Sequence, residues 1–175
     1  MILTDSGKDA ARLRGLSSQA RIGADYNYSD IGYNYRMTNL NAGVLLAQIE
    51  RLDEMLRDKR RIAAAYDDAV GERSDIEPMP RAAWAESSCW LYSLRLRGDA
   101  QAQSLVRHMD GKDIEARIFW RALSGQAPYA HSPHRLTGVA DRLSGTVVSL
   151  PSSSSLTQPQ QARVIAALGN WRDTH

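Results

Sequence analysis

The chain has 175 residues and a mass of 19.4 kDa, room for one ordinary domain or for part of a larger one. With 43% hydrophobic and 24% charged residues it sits near the globular average, which excludes wholesale disorder and fibrous assembly. Twenty-two Lys and Arg against 20 Asp and Glu leave a net charge of +2, so charge demands neither a nucleic-acid nor a membrane partner.

Met1–Asp5 reads as a short strand that runs straight into a helix with apolar spacing at Ala10, Leu13 and Leu16. A chain that opens within a strand reads as the continuation of a longer one. Residues 17–35 contain Gly23, Gly32 and the near-duplicate Tyr-Asn-Tyr at 26–28 and 33–35, without a sustained period, and predict a loop. Thr38 then opens the strongest helical signal. Leu45, Ile49, Leu52 and Leu56 are spaced 4-3-4, and the stripe resumes at Ala63, Tyr66 and Val70 before Gly71. One long helix, or two joined by a kink, is expected, with part of its stripe left for another subunit.

Pro78 and Pro80 mark a loop, and Cys89–Leu96 predicts a strand with Trp90, Tyr92, Leu94 and Leu96 on one face. Asp99 is placed to cap a helix through Met109, with Leu105, Val106 and Met109 inward and Gly111 as its stop. Residues 114–118 predict a second strand and residues 119–135 a long irregular loop, of a length that is commonly functional. Val147–Leu150 reads as a third strand. Thr157 and Gln160 form a T-x-x-Q capping box for a last helix with Val164, Ile165, Leu168 and Trp171 inward. The order suggests an α+β module, a small sheet covered by helices.

Few motifs carry chemistry. The single cysteine, Cys89, rules out an intrachain disulfide and a multi-cysteine zinc site, and fits a reducing compartment. No apolar run approaches the roughly 20 residues of a membrane span, and no signal-like region opens the chain, so a soluble, cytoplasmic protein is expected. No phosphate loop, zinc spacing or nucleophile elbow is present. His131 and His134 flank Pro133 and read as surface histidines rather than a metal site. Cys89, with no cation beside it in sequence, reads as a small buried residue. Arg57, Lys59, Arg60 and Arg61 read as a solvated helix face, since no aromatic residues interleave with them. The segment Gly32–Asn39 differs. It gathers donors (Asn34, Arg36) and aromatic planes (Tyr33, Tyr35) just before a helix N-terminus, which suits either an anion such as phosphate or a helix-capping loop.

The run Gly-Tyr-Asn-Tyr-Arg-Met-Thr-Asn-Leu at 32–40, followed by Ala42, Gln48, Leu52, Asp53, Lys59-Arg60 and Ala65-Tyr66, resembles the DegT/DnrJ/EryC1/StrS aminotransferases. The resemblance continues through Trp90-Leu91-Tyr92, Ile114–Arg117, Phe119-Trp120 and Leu150–Ser153, and covers almost the whole chain in order. It implies a pyridoxal-phosphate enzyme that aminates keto-sugars on nucleotide carriers, with the branch making 4-amino sugars as the nearest in flavour. By the same resemblance the chain is the C-terminal portion of a homodimeric, aspartate-aminotransferase-like (fold type I) enzyme. Residues 1–35 would end the large domain, and 36–175 would form the long helix and the small α+β domain with its mainly antiparallel sheet. The family's Schiff-base lysine matches none of Lys8, Lys59 and Lys112, so the chain alone is not expected to be catalytic. The resemblance further implies that Asn34 and Arg36 reach the cofactor phosphate of the neighbouring subunit and that Tyr33 lies by the sugar. Arg117, Phe119 and Trp120 would line the nucleotide-sugar pocket. Ala122-Leu123-Ser124 stands where the family commonly has Pro-Leu-His. A competing reading is a non-catalytic interaction or dimerisation module.

Overall fold

The computed structural model describes residues 2–22, 27–71 and 73–172. The chain divides into two units, Met1–Arg51 and Leu52–His175.

In the first unit α1 (Gly7–Ser17) starts at Ser6, whose Oγ accepts from the amide of Asp9 at 3.2 Å and so satisfies one of the donors a helix start leaves open. The expected strand at the N-terminus is not formed: residues 2–5 lie outside any strand, because none of the described residues supplies a ladder partner. The predicted loop holds a minimal antiparallel pair, β1 (Arg21–Ile22) with β2 (Asn27–Tyr28). Two residues per strand are too few to show a period of 2. The readings at Gly23 and Tyr26 lie outside the described residues. Helix α2 (Asn39–Glu50) is capped by Thr38, whose Oγ1 accepts from the amide of Asn41 at 3.2 Å, and it ends at Arg51. Ala20 is the one buried residue among those described in this unit, and α2 buries none.

In the second unit α3 (Leu52–Val70) continues the helical signal, so the long stripe is split between two helices. Four strands follow in the order β3-β4-β6-β5, every neighbouring pair antiparallel: β3 (Ile76–Pro78), β4 (Tyr92–Leu96), β5 (Arg117–Ile118) and β6 (Val147–Leu150). Helices α3, α4 (Asp99–Asp110) and α6 (Gln158–Asn170) lie against one face, and a short α5 (Val139–Leu143) precedes β6. Because strand residues alternate between faces, Tyr92, Leu94, Leu96, Val148 and Leu150 meet Ile62, Tyr66, Val70, Leu105, Met109, Val164 and Leu168 in one core. Each buried aliphatic side chain contributes about 1.5–3 kcal/mol. The register puts Glu77, Ser93, Arg95, Arg117, Val147 and Ser149 on the opposite face.

Several expectations change here. The first strand is shorter than read, and Trp90 precedes it and is exposed instead of following Tyr92 inward. The second strand shrinks to Arg117–Ile118, although Ile114 and Ala116 are buried. Of the two prolines read as marking a loop, Pro80 lies outside any strand, whereas Pro78 closes β3. Proline is tolerated there because β3 is an edge strand, where a missing N–H disrupts nothing central. Asp99 is the first residue of α4 and makes no capping bond; Gly98 takes the cap position. The irregular loop contains two single 3-10 turns, Leu123–Gly125 and Ala127–Tyr129. The capping box at Thr157 and Gln160 is formed as read.

The cluster at 57–61 is solvated only in part: Arg57 and Arg60 are exposed as read, while Lys59 and Arg61 are half-buried. Lys59 Nζ donates to the carbonyls of Trp90 (2.8 Å) and Ser152 (2.5 Å), Arg60 pairs with Glu86 at 2.7 Å, and Arg61 reaches the side chain of Gln161 and the carbonyl of Leu156. Tertiary acceptors invisible to sequence spacing claim these cations. Another cation locks the far end of α6. Arg73 donates to the carbonyls of Leu168 (2.8 Å) and Trp171 (3.4 Å), pairs with Asp75 at 2.5 Å, and lies 5.3 Å above the Trp171 ring.

The hydrogen bond from Arg73 holds the Asp75 carboxyl below the usual carboxylate range, against a smaller opposing effect of burial. A lowered folded value means that the stabilisation is present above the unfolded value of about 3.9 and is lost as pH falls through the folded one. Asp75→Asn is therefore expected to cost about 1 kcal/mol near pH 7, the worth of a partly screened charged hydrogen bond. Denaturant melts at several pH values should show that gap closing below about pH 4. A gap independent of pH would assign the loss to packing.

Candidate functional site

The expected site residues fall into two groups, one in each unit, and each group is described by itself. In the first unit the chain after α1 turns back through Gln19 and Ala20, both left-handed (φ 64° and 54°). That turn aligns the end of α1 with the segment Gly32–Tyr35. The amides of Tyr33 and Tyr35 donate to the carbonyls of Leu16 (2.6 Å) and Ser17 (3.0 Å), and the Gln19 amide donates to the Tyr33 carbonyl at 3.1 Å. Ser18 and Asn34 form an antiparallel bridge. Gly32 is required by contact: a Cβ there would stand 2.3 Å from the backbone nitrogen of Ala20. Successive residues along such a bridge face opposite sides, so alternate ones share a side. The rings of Tyr33 and Tyr35 accordingly stack, with centroids 5.1 Å apart and planes at 14°, and Asn34 lies across the backbone from them. Asn34 and Arg36 are exposed, and α2 begins three residues after Arg36 with no acidic residue in its first turn. Three of the expected site residues, Tyr33, Asn34 and Arg36, therefore share one pinned segment leading into a helix N-terminus.

In the second unit Phe119 and Trp120 continue from β5, and the Phe119 amide extends the ladder to the Val147 carbonyl at 2.8 Å. Their rings stand 4.8 Å apart, and Trp90 approaches Trp120 at 5.7 Å. These rings border a cavity of about 1060 Å³ on the sheet face opposite α3, α4 and α6, with Met79, Leu123 and Leu143 of α5 among its apolar walls. Its charged groups are Arg121 and the Glu77–Arg95 pair, whose Nε–Oε2 distance is 2.8 Å. Arg117 lines a second hollow of about 410 Å³ with Lys59, Glu115 and Ser152, and its Nε donates to Glu115 at 2.7 Å. Trp90 borders both hollows. Arg117 and the Phe119–Trp120 pair therefore line different hollows, with Trp90 and Leu91 common to both.

Sequence reasoning missed Trp90 and Lys59. Trp90 reads as a strand residue on the face of Tyr92, yet Cys89 is left-handed (φ 52°) and breaks the alternation just before it. Lys59 is partly buried, which pushes its ammonium below the usual lysine range, and Cys89 lies close enough to act on it. The cysteine thus has a cationic neighbour after all, from a helix 30 positions away in sequence. His131 and His134 are exposed, and no cluster of three or more metal-ligating side chains occurs among the described residues. Nothing in either group pairs a nucleophile with a base. The chemistry on offer is recognition: anion donors, stacked rings and an apolar hollow.

The description of the DegT/DnrJ/EryC1/StrS aminotransferase family matches residues 1–169. The chain is 36% identical over 173 residues to EpsN of Bacillus subtilis, whose name describes a pyridoxal phosphate-dependent aminotransferase; the match covers 96% of this chain and 45% of that protein. It is 31% identical over 176 residues to a GDP-perosamine synthase of Caulobacter vibrioides, covering 96% and 46% respectively. Among solved structures, the aminotransferase TlmJ of Streptoalloteichus hindustanus superposes with a TM-score of 0.82 at 22% identity, over 94% of this chain and 44% of that one. The chain therefore spans a little under half the length of the relatives it matches, and its fold is that of an aspartate-aminotransferase-like, fold type I small C-terminal domain. By sequence and by fold, it belongs to the DegT/DnrJ/EryC1/StrS aminotransferase family.

Proposed function

We propose that the chain is the C-terminal part of a pyridoxal-phosphate-dependent aminotransferase that aminates a nucleotide-linked keto-sugar in 4-amino-sugar biosynthesis, with glutamate as amino donor. The observation that carries this reading is the segment Gly32–Arg36, pinned to the end of α1 with an exposed amide and an exposed guanidinium just ahead of α2. The names of EpsN and GDP-perosamine synthase support it.

The residues present fit one end of the cofactor. A phosphate dianion needs donors and a positive field. Asn34 and Arg36 supply donors, and the N-terminus of a 12-residue helix without first-turn carboxylates supplies the field. This reading assigns none of the three lysines to the other end: Lys59 is occupied by two carbonyls, Lys8 lies in the first turn of α1, and Lys112 follows the turn glycine at 111. When bound, pyridoxal phosphate supplies the electron withdrawal that amino transfer requires. This chain contributes phosphate binding, to the cofactor of the neighbouring subunit in a homodimer, with Tyr33 beside the sugar. Arg117, Phe119 and Trp120 form the wall on the nucleotide side. A cytoplasmic location belongs to the same reading. The division into 1–35, closing the large domain, and 36–175, the small domain with its long helix, belongs to it as well. The fully exposed α2, presenting Leu40, Val44, Leu45 and Ile49, suits a dimer surface and also favours the second reading, a non-catalytic dimerisation module.

The test uses the catalytically complete enzyme carrying these residues. A nucleotide-linked 4-keto sugar should be converted to its amino sugar at the expense of glutamate, as read by mass spectrometry. Asn34→Ala should weaken cofactor binding about ten- to a hundredfold, since a hydrogen bond to a charged group is worth roughly 1.5–3 kcal/mol. Turnover at saturating cofactor should fall far less. Unchanged cofactor affinity with collapsed turnover would move Asn34 to the substrate side. Cofactor and substrate binding without amino transfer would leave the module reading in its place.

A further inference from the structure

We propose that Trp90 and Trp120 form a two-ring platform that stacks the base of the nucleotide carrier, so that Trp90 is a substrate-binding residue of this site. The inference rests on the nucleotide-sugar reading above and deepens it. Three observations within the second unit carry it.

The rings are open. Trp90 is 62% exposed and Trp120 66%, yet they approach to 5.7 Å at an interplanar angle of 42°, with Phe119 behind Trp120 at 4.8 Å. Two large apolar faces left in water cost free energy that a stacked ring would recover.

The backbones beneath them are fixed. The Trp90 carbonyl is held by Lys59 Nζ at 2.8 Å, and the Tyr92 amide two residues on donates to Ser152 Oγ at 3.2 Å. On the other side the Phe119 amide is tied to Val147. The platform is therefore preorganised, and binding has little main-chain ordering to oppose it.

The two hollows that Trp90 borders differ in chemistry. The larger is walled mainly by apolar side chains, and its Arg95 is already paired with Glu77. The smaller holds Lys59 and the exposed Arg117–Glu115 pair, which is weak in water and free to exchange its carboxylate for a phosphate. A planar base over the indoles with a diphosphate toward Arg117 fits that division. A sugar ring would need several hydrogen-bond partners on the apolar side. Because stacking uses the π-face that every base has, the platform tolerates both purines and pyrimidines.

The experiment is calorimetric titration of this 175-residue chain with UDP, GDP, inorganic pyrophosphate and a hexose 1-phosphate. UDP and GDP should bind within about tenfold of each other, since stacking carries little base readout. Trp90→Ala should weaken both about ten- to a hundredfold, while Trp90→Phe retains most of the affinity. Pyrophosphate binding should not change in Trp90→Ala, and Trp84→Ala, an exposed indole outside the site, should leave nucleotide binding intact. A circular-dichroism melt identical to wild type shows that Trp90→Ala folds. Nucleotide binding lost in Trp120→Ala but not in Trp90→Ala overturns the role of Trp90 and leaves the pocket standing. Equal affinity for the hexose 1-phosphate, lost with Trp90, overturns the base in favour of the sugar. If the chain binds no nucleotide, the platform is overturned; amination of the nucleotide-linked sugar by the complete enzyme then decides separately whether the functional reading survives.

Discussion

Gly32→Ala is expected to strip the segment Tyr33–Tyr35 from the end of α1. The added carbon would lie 2.3 Å from the nitrogen of Ala20 and the carbonyl carbon of Gln19, and 2.7 Å from the Gln19 Cα. These are backbone atoms, so no flexible side chain can move aside. Both residues are already left-handed, which leaves them little room to adjust. Overpacking costs about 1–3 kcal/mol even where side chains can shift. Against it stand three backbone hydrogen bonds, each contributing about 1 kcal/mol net, and a unit with one buried residue among those described. The clash wins. Amide exchange at Tyr33 and Tyr35 should rise to the rate of an unfolded chain, while thermal unfolding of the second unit stays where it was. Retained protection at both amides would show that the turn relaxes, and the close contact would lose its significance for the position of Asn34.

Trp171→Ala should have the largest effect on stability, about 3–5 kcal/mol. The side chain is 2% exposed, its Nε1 donates to Ser104 Oγ at 3.3 Å, and its ring carries the Arg73 guanidinium. Removing it opens a cavity against α4 and takes away the surface on which Arg73 lies while it binds the last carbonyls of α6. Folded domains hold only about 5–15 kcal/mol in total, so the variant should be near the edge of folding at 37 °C. Trp171→Phe keeps most of the apolar volume and should lose much less. Urea unfolding followed by far-ultraviolet circular dichroism measures both. A loss below about 1 kcal/mol for the alanine variant would mean that the end of α6 is peripheral to the core.

Much of the second unit was legible because burial there follows the periods of regular structure. Tyr66 and Val70, Leu105 and Met109, and Val164 and Leu168 mark helix faces at the spacing that places them inward. The capping box is a local device, and local devices survive translation from sequence. The misreadings share a cause. Lys59 and Arg61 read as solvated because their acceptors are carbonyls and a side chain far along the chain. Trp90 reads as sharing the face of Tyr92 because a period of 2 runs through it, and only the left-handed Cys89 reveals that the strand has not begun. The donors at Asn34 and Arg36 were visible as residue types, but the contact that fixes their segment was not. It depends on Gln19 and Ala20 taking a conformation that neither residue type announces.

The two outer strands of the sheet have a further consequence. The edge strand β3 is three residues long and ends in Pro78, which can donate to no neighbour, and the opposite edge, β5, has only two residues. A further strand laid along either side would find too few matched donors and acceptors to hold it. The sheet is closed to growth by main-chain pairing. Copies that meet at this sheet do so through side chains, whose shape and charge select a partner, rather than through an open-ended ribbon that would accept any extended chain.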